Sequence, residues 1–165
     1  SAASDVYKRQ GFAKGMFTGF IRVKGKPLGL IANNPLFLAG AIDSDGADKA
    51  SRFIKLCENY NIPILSLCDT PGMMVGPEIE ETGLVRHCCR LFLAGANVTV
   101  PMMTIVLRKA YGLGAQAMAG GSFMAPQFVV GWPTAEIGAM GLEGAVKLGY
   151  RNCLLYTSPS PRDRQ

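Results

Sequence analysis

At 165 residues the chain is long enough for one domain with its own core, and length argues against two. Hydrophobic residues at 48% and charged residues at 18% exclude a disordered chain, and no apolar run reaches the roughly 18 residues of a membrane span. The formal charge of +5 does not describe a nucleic-acid surface: Lys and Arg are scattered, some lie in the terminal stretches, and no basic stripe forms. A modest positive balance suits an anionic small-molecule ligand.

Both ends read as foreign to the domain. Residues 1–10 (SAASDVYKRQ) lack an initiating Met, and residues 153–165 (CLLYTSPSPRDRQ) switch abruptly to Ser, Pro and Arg. Both strings resemble translated adapter sequence, so the domain is expected at 11–152, truncated at each end.

Inside those limits apolar strand-like runs alternate with helix-period segments. Residues 28–33 form a short strand, followed by the turn Asn33-Asn34-Pro35. From 43 to 59, Ala47, Ala50, Phe53, Ile54 and Cys57 recur at steps of three and four, one face of a helix with acidic residues at its start. Residues 62–68 are a continuous apolar run that reads as a strand buried on both faces, ended by Asp69-Thr70-Pro71-Gly72.

A second helix is expected over 82–97, a third strand over 102–107, then a glycine-rich turn and a helix over about 114–119. Short strands at 128–130 and 135–137 and a helix at 142–148 complete the pattern. Strands separated by crossover helices predict an α/β fold with a parallel sheet covered by helices.

The five cysteines (Cys57, Cys68, Cys88, Cys89, Cys153) include no C-x-x-C pair and are odd in number. They read as small buried hydrophobes in a reducing compartment. With a single His, His87, no metal set is expected.

The stretch 108–121, RKAYGLGAQAMAGG, leaves a strand and enters a helix. Gly112 and Gly114 let the main chain approach a ligand, and the helix start directs unpaired N–H groups at that space. Two such donors can hold an oxyanion; tight helix-on-sheet packing by small residues explains the same glycines equally well. Asp69-Thr70-Pro71-Gly72 matches the D-x-x-G element of GTPases but lacks any phosphate loop. It reads instead as a turn shaping the floor of a pocket. Trp132 stands beside Pro133 and a carboxylate, Glu136, which suits either a ligand-orienting role or a paired structural group. Ser122 lacks the nucleophile elbow.

Taken in order, the NNP turn, the AIDSDGADKASRFI helix, the DTPG turn, VRHCCRLFLAGANVTVP, the RKAYG turn and WPTAEIGAMGLEGAV resemble the carboxyltransferase (β-type) subunits of biotin-dependent acyl-CoA carboxylases, in their C-terminal half. The resemblance implies a crotonase-like fold, ββα units wound into a superhelix. It implies carboxyl transfer from carboxybiotin on a carrier to the α-carbon of an acyl-CoA of the acetyl- or propionyl-CoA type. By the resemblance this chain corresponds to the half that mainly holds biotin, and the half that mainly holds CoA is expected to be missing.

By the same resemblance the turn after Arg-Lys-Ala-Tyr supplies a backbone oxyanion hole from within Gly112, Leu113, Gly114 and Ala115. Many relatives read Tyr-Gly-Gly-Ala there; without a gap the donors are Leu113 and Gly114, and Gly114 with Ala115 remains open. Gln116 aligns with a position facing the acyl chain, favouring a short or polar acyl group, and Tyr111, Pro71, Gly72 and Trp132 line the biotin side. Implied partners are the missing N-terminal half, a biotin carboxyl carrier, a biotin carboxylase and further copies of the chain, without nucleic acid, membrane or metal. The implied location is bacterial cytoplasm or, second, a mitochondrial matrix. The rivals are another crotonase-fold acyl-CoA enzyme, a hydratase or decarboxylase, and a non-catalytic assembly fragment.

Overall fold

The structure, a computed structural model, describes residues 11–150. The expected tails, Cys153 and the last two residues of the expected domain lie outside the described residues.

Six strands form one sheet: β1 (Met16–Val23), β2 (Lys26–Asn33), β3 (Ile64–Thr70), β4 (Met102–Tyr111), β5 (Phe128–Gly131) and β6 (Glu136–Gly138). The spatial order is β1-β2-β3-β4-β5, and β6 also pairs with β4. β1 and β2 are an antiparallel hairpin that the sequence reading did not anticipate. Its turn, Lys24-Gly25, takes positive φ at both residues (48° and 81°), the handedness that matches the twist of a two-residue hairpin. Every other pairing is parallel.

The helices are α1 (Ser44–Asn59), α2 (Pro77–Glu80), α3 (Leu84–Ala96), α4 (Gly112–Met118) and α5 (Leu142–Gly149). α1 starts where Asp43 Oδ1 accepts the Gly46 amide at 2.7 Å, an N-cap reinforced by Asp45 in the first turn. Its expected apolar face is buried, and it lies so close to β2 that a Cβ on Gly29 would collide with Cys57 Sγ. α1 packs on β1, β2 and α3, while α4 packs on β3, β4 and α3.

The sheet is covered unequally. Residues directly paired across strands share a face, so Ile31, Ser66 and Thr104 point one way and are fully buried. On the opposite face Leu30, Leu65, Leu67, Met103 and Ile105 are half-buried, and Phe128 and Val130 remain 46% and 45% exposed. The run at 62–68 is therefore buried on one face only among the described residues, which corrects the sequence expectation. A continuous apolar run marks a strand meant for burial on both sides, whatever covers the second side.

Glu58 closes α1 onto the start of β4. Its carboxylate accepts from Thr99 N (2.9 Å), Thr99 Oγ1 (2.5 Å) and Val100 N (3.2 Å). These bonds hold the Glu58 carboxyl below its ordinary 4.5. A group bound more weakly by protons in the folded state stabilises the fold above the unfolded value and loses that contribution as pH falls through the native one. Acid denaturation followed by circular dichroism should therefore show stability falling below about pH 4.5, with a shallower dependence in Glu58→Gln; an unchanged pH dependence would remove the clamp. The half-covered apolar face should make the purified chain self-associate, and a clean monomer by light scattering at high concentration would contradict this.

Candidate active site

The sheet ladder between β3 and β4 breaks once. Cys68 pairs with Val106, but Thr70 pairs with Ala110, so β4 carries an extra stretch around Leu107 and Lys109. Asp69 fills the break. Its Oδ1 accepts from Lys109 N at 3.2 Å and from Arg108 Nε at 3.3 Å, while its own amide donates to Asn33 Oδ1 at 3.1 Å. Thr134 Oγ1 donates to Leu107 O at 3.1 Å from the other side. Beyond the break, β4 leaves β5 and pairs with β6 through Lys109, Ala110 and Tyr111. The segment Arg-Lys-Ala-Tyr, expected as a turn, is consequently the last part of the strand.

The handover from β4 to α4 occurs at Tyr111 and Gly112. Tyr111 keeps extended backbone (φ −111°, ψ 137°) as N-cap, and Gly112 turns the chain with φ 57°, where glycine alone is unstrained. The helix thus opens at Gly112, two residues before the expected start. Tyr111 makes no side-chain cap bond. The N-cap carbonyl receives its intrahelical bond from the fifth residue of the series, Ala115, which leaves the amides of Leu113 and Gly114 without a helical partner.

The Asp69-Thr70-Pro71-Gly72 turn abuts this helix start. Thr70 is fully buried; its Oγ1 donates to Gly72 O at 3.1 Å and accepts from Gly72 N at 3.2 Å, pinning the turn. Gly72 has φ 130°. A Cβ built on Gly114 would fall 2.6 Å from the Gly72 carbonyl carbon, so the two main chains touch with no side chain between them. Gly72 O in turn accepts from Ile42 N at 3.1 Å, which ties the turn to the segment before α1.

Among the residues singled out from sequence, Tyr111, Gly112, Leu113, Gly114, Ala115, Gln116 and Gly72 come together at this junction. Pro71 is exposed at its edge. Tyr111 is 6% exposed, and its hydroxyl donates to Glu136; that contact raises the tyrosine above its ordinary 10.0. Trp132 stands elsewhere: its amide donates to Val106 O at 2.8 Å, on the far side of the ladder break from Tyr111, and its ring is 61% exposed. His87 Nδ1 lies 3.0 Å from Asp48 Oδ1 without hydrogen-bond alignment, cross-linking α3 to α1 away from the junction. Asn33, Asp69 and Thr70, which fix the geometry, stand in the two turn motifs read from sequence, but their hydrogen-bond partners carry no signal there.

A cavity of about 240 Å³ opens between β1 and α1, lined by Phe12, Thr18, Phe20, Lys49, Phe53 and Leu56. Lys49 Nζ donates there to the carbonyls of Phe12 (2.8 Å) and Ala13 (3.3 Å). The cavity shares no residue with the junction. Among the described residues no group of three or more His, Cys, Asp or Glu can hold a metal ion, and no helix is long and apolar enough to cross a membrane.

Residues 8–158 match the family model described as the carboxyl transferase domain. The chain is 42% identical over 151 residues to a propionyl-CoA carboxylase beta chain of Roseobacter denitrificans, covering 91% of this chain and 29% of that protein. Among solved structures it resembles a single-chain, multi-domain long-chain acyl-CoA carboxylase (TM-score 0.84, 56% identity, 93% of this chain and 15% of that one). It also resembles transcarboxylase 12S, solved as a hexamer with methylmalonyl-coenzyme A bound (TM-score 0.82, 37% identity, 93% and 29%). The chain thus spans less than a third of the curated relatives' length.

Gly114→Ala should drive a methyl group into the Gly72 main chain and lower stability by about 1–3 kcal/mol. A melting temperature equal to that of the unsubstituted chain would contradict the close approach.

Proposed function

The chain belongs to the carboxyl transferase domain family, and from that premise we propose that it forms the biotin-facing part of an enzyme that moves carboxyl from carboxybiotin to the α-carbon of an acyl-CoA. Its fold is the α/β crotonase-like fold of the carboxyltransferase domains it resembles. The observation that carries the proposal is the pair of amides, Leu113 and Gly114, left without helical partners where β4 becomes α4.

When bound, carboxybiotin supplies a carboxyl group on N1 and, relieved of it, a nitrogen that takes the α-proton. This chain's residues supply donors in fixed positions. Negative charge that builds on an oxygen facing α4 is met by two preset N–H groups, each worth on the order of 3 kcal/mol in a transition state. The fit rests on three features: Gly112 provides the turn, the bare Gly72–Gly114 contact fixes the helix start against β3, and Tyr111 leaves the amides uncapped. Ala115 is a poorer donor than Leu113 because the helix uses its amide, which favours the Leu113–Gly114 register. Pro71 and Gly72 border the same space. Gln116, the fifth residue of α4, faces the acyl group and favours a short or polar one.

In this reading the partners are an acyl-CoA-binding half, a biotin carboxyl carrier, a biotin carboxylase and further copies of the chain. The setting is the bacterial cytoplasm.

Leu113→Pro removes one donor at a helix position where proline is tolerated. Reconstituted with an acyl-CoA-binding half, the unsubstituted chain should transfer carboxyl and Leu113→Pro should lower kcat by about 10²–10³; alone, neither should be active. Equal kcat in the two would end the oxyanion assignment, and transfer by the chain alone would end the two-half assignment. Assayed from acetyl- to long-chain acyl-CoA, the reconstituted enzyme should prefer short chains.

A further inference from the structure

Resting on that reading and deepening it, we propose that Glu136 is a positioning residue: through the Tyr111 hydroxyl it fixes the peptide planes that aim the Leu113 and Gly114 amides. No step of the reaction above uses Glu136 or the Tyr111 side chain. Yet the Tyr111 hydroxyl donates to Glu136 across 25 residues of sequence, and Tyr111 is the residue from which α4 departs.

Tyr111 pairs with Gly138 between β4 and β6. A Cβ on Gly141 would fall 3.5 Å from Tyr111 Cε2, and one on Gly138 would fall 4.0 Å from Cδ1, so the ring lies beside both glycines. A Cβ on Gly112 would fall 3.0 Å from Ala139 O. Residues 136–141 therefore enclose both the last residue of the strand and the first of the helix. Rotation about the backbone at Tyr111 or Gly112 swings the next two amides together, and a donor displaced by about 1 Å loses much of its effect on a transition state.

Glu136 accepts the tyrosine proton through one carboxylate oxygen. The interaction needs an acceptor at Glu136 and a donor at Tyr111; it does not need the negative charge.

The test is made in the reconstituted two-half enzyme with Tyr111→Phe, Glu136→Ala, Glu136→Gln and the double variant Tyr111→Phe/Glu136→Ala. Tyr111→Phe and Glu136→Ala should each lower kcat about tenfold or more, with KM for acyl-CoA within about twofold. The double variant should be no slower than either single one, and Glu136→Gln, which keeps an acceptor, should recover most of the rate. Multiplying defects, a rise in KM at constant kcat, or an unrescued Glu136→Gln would overturn the proposal.

A second measurement separates it from the oxyanion reading. In nitrogen-labelled chain alone, the Leu113 and Gly114 amide resonances should move in Tyr111→Phe and Glu136→Ala and return in Glu136→Gln, while Ile54 and Leu91 in the core stay put. If those shifts occur but carboxyl transfer never does, the functional reading fails and the positioning role stands; if transfer occurs without the shifts, the reverse holds.

Discussion

Asp69 sits at the one place where the two central strands fall out of step, and the local geometry follows from how that place is filled. Over two residues of β3, from Cys68 to Thr70, β4 advances from Val106 to Ala110. The main-chain groups set free by the mismatch are met by side chains: Lys109 N by Asp69, Leu107 O by Thr134, and Lys109 O by the Cys68 thiol at 3.8 Å. A buried amide left unpaired costs about 1–3 kcal/mol, so the break persists only because these partners exist. Its effect is to end pairing with β5 and begin pairing with β6, which delivers Tyr111 to the helix start in one register.

From that register the junction closes by main-chain contact. Thr70 shapes the turn before α4, and the bare α-carbons of Gly72 and Gly114 let the turn and the helix meet. Contacts of this kind are stiff because no rotamer can absorb a displacement. The arrangement therefore preorganises backbone donors, which suits charge stabilisation more than proton transfer. The acids nearby are committed elsewhere: Asp69 to the strand break and Glu136 to Tyr111.

Much of the fold was legible in the sequence because helical periodicity and continuous apolar runs follow directly from burial. α1 and α3 lie within two residues of their expected ends, and β5 and β6 within one. β1 was missed because MFTGFIRV alternates poorly: Thr18 and Gly19 are buried beside Phe20, and its hairpin turn, Lys-Gly, is not a strong turn signal. The end of β4 was missed because Arg108 and Lys109 read as polar turn residues, while their place in the strand is fixed by Asp69 and β6, both distant in sequence. The residues that assemble at the junction were legible as glycines between a strand and a helix. The partners that hold them, Asn33, Thr70 and Thr134, were not, since a lone polar side chain gives no sign of which carbonyl or amide it will meet.

The Tyr111-Gly112-Leu113-Gly114 stretch distinguishes what a glycine is needed for at each position. Gly112 needs its freedom because φ is 57°, and Gly114 needs the absence of a Cβ because Gly72 occupies that space. Neither demand falls on Leu113: among the described residues it is not one of those with positive φ, and its side chain is 62% exposed, directed away from the contact. A leucine can therefore stand at position 113 without moving the amide that precedes its α-carbon. Because a main-chain donor depends on φ and ψ and not on the side chain, the two neighbouring glycines preserve the geometry, and position 113 is left free to vary in what it presents to a partner or a ligand.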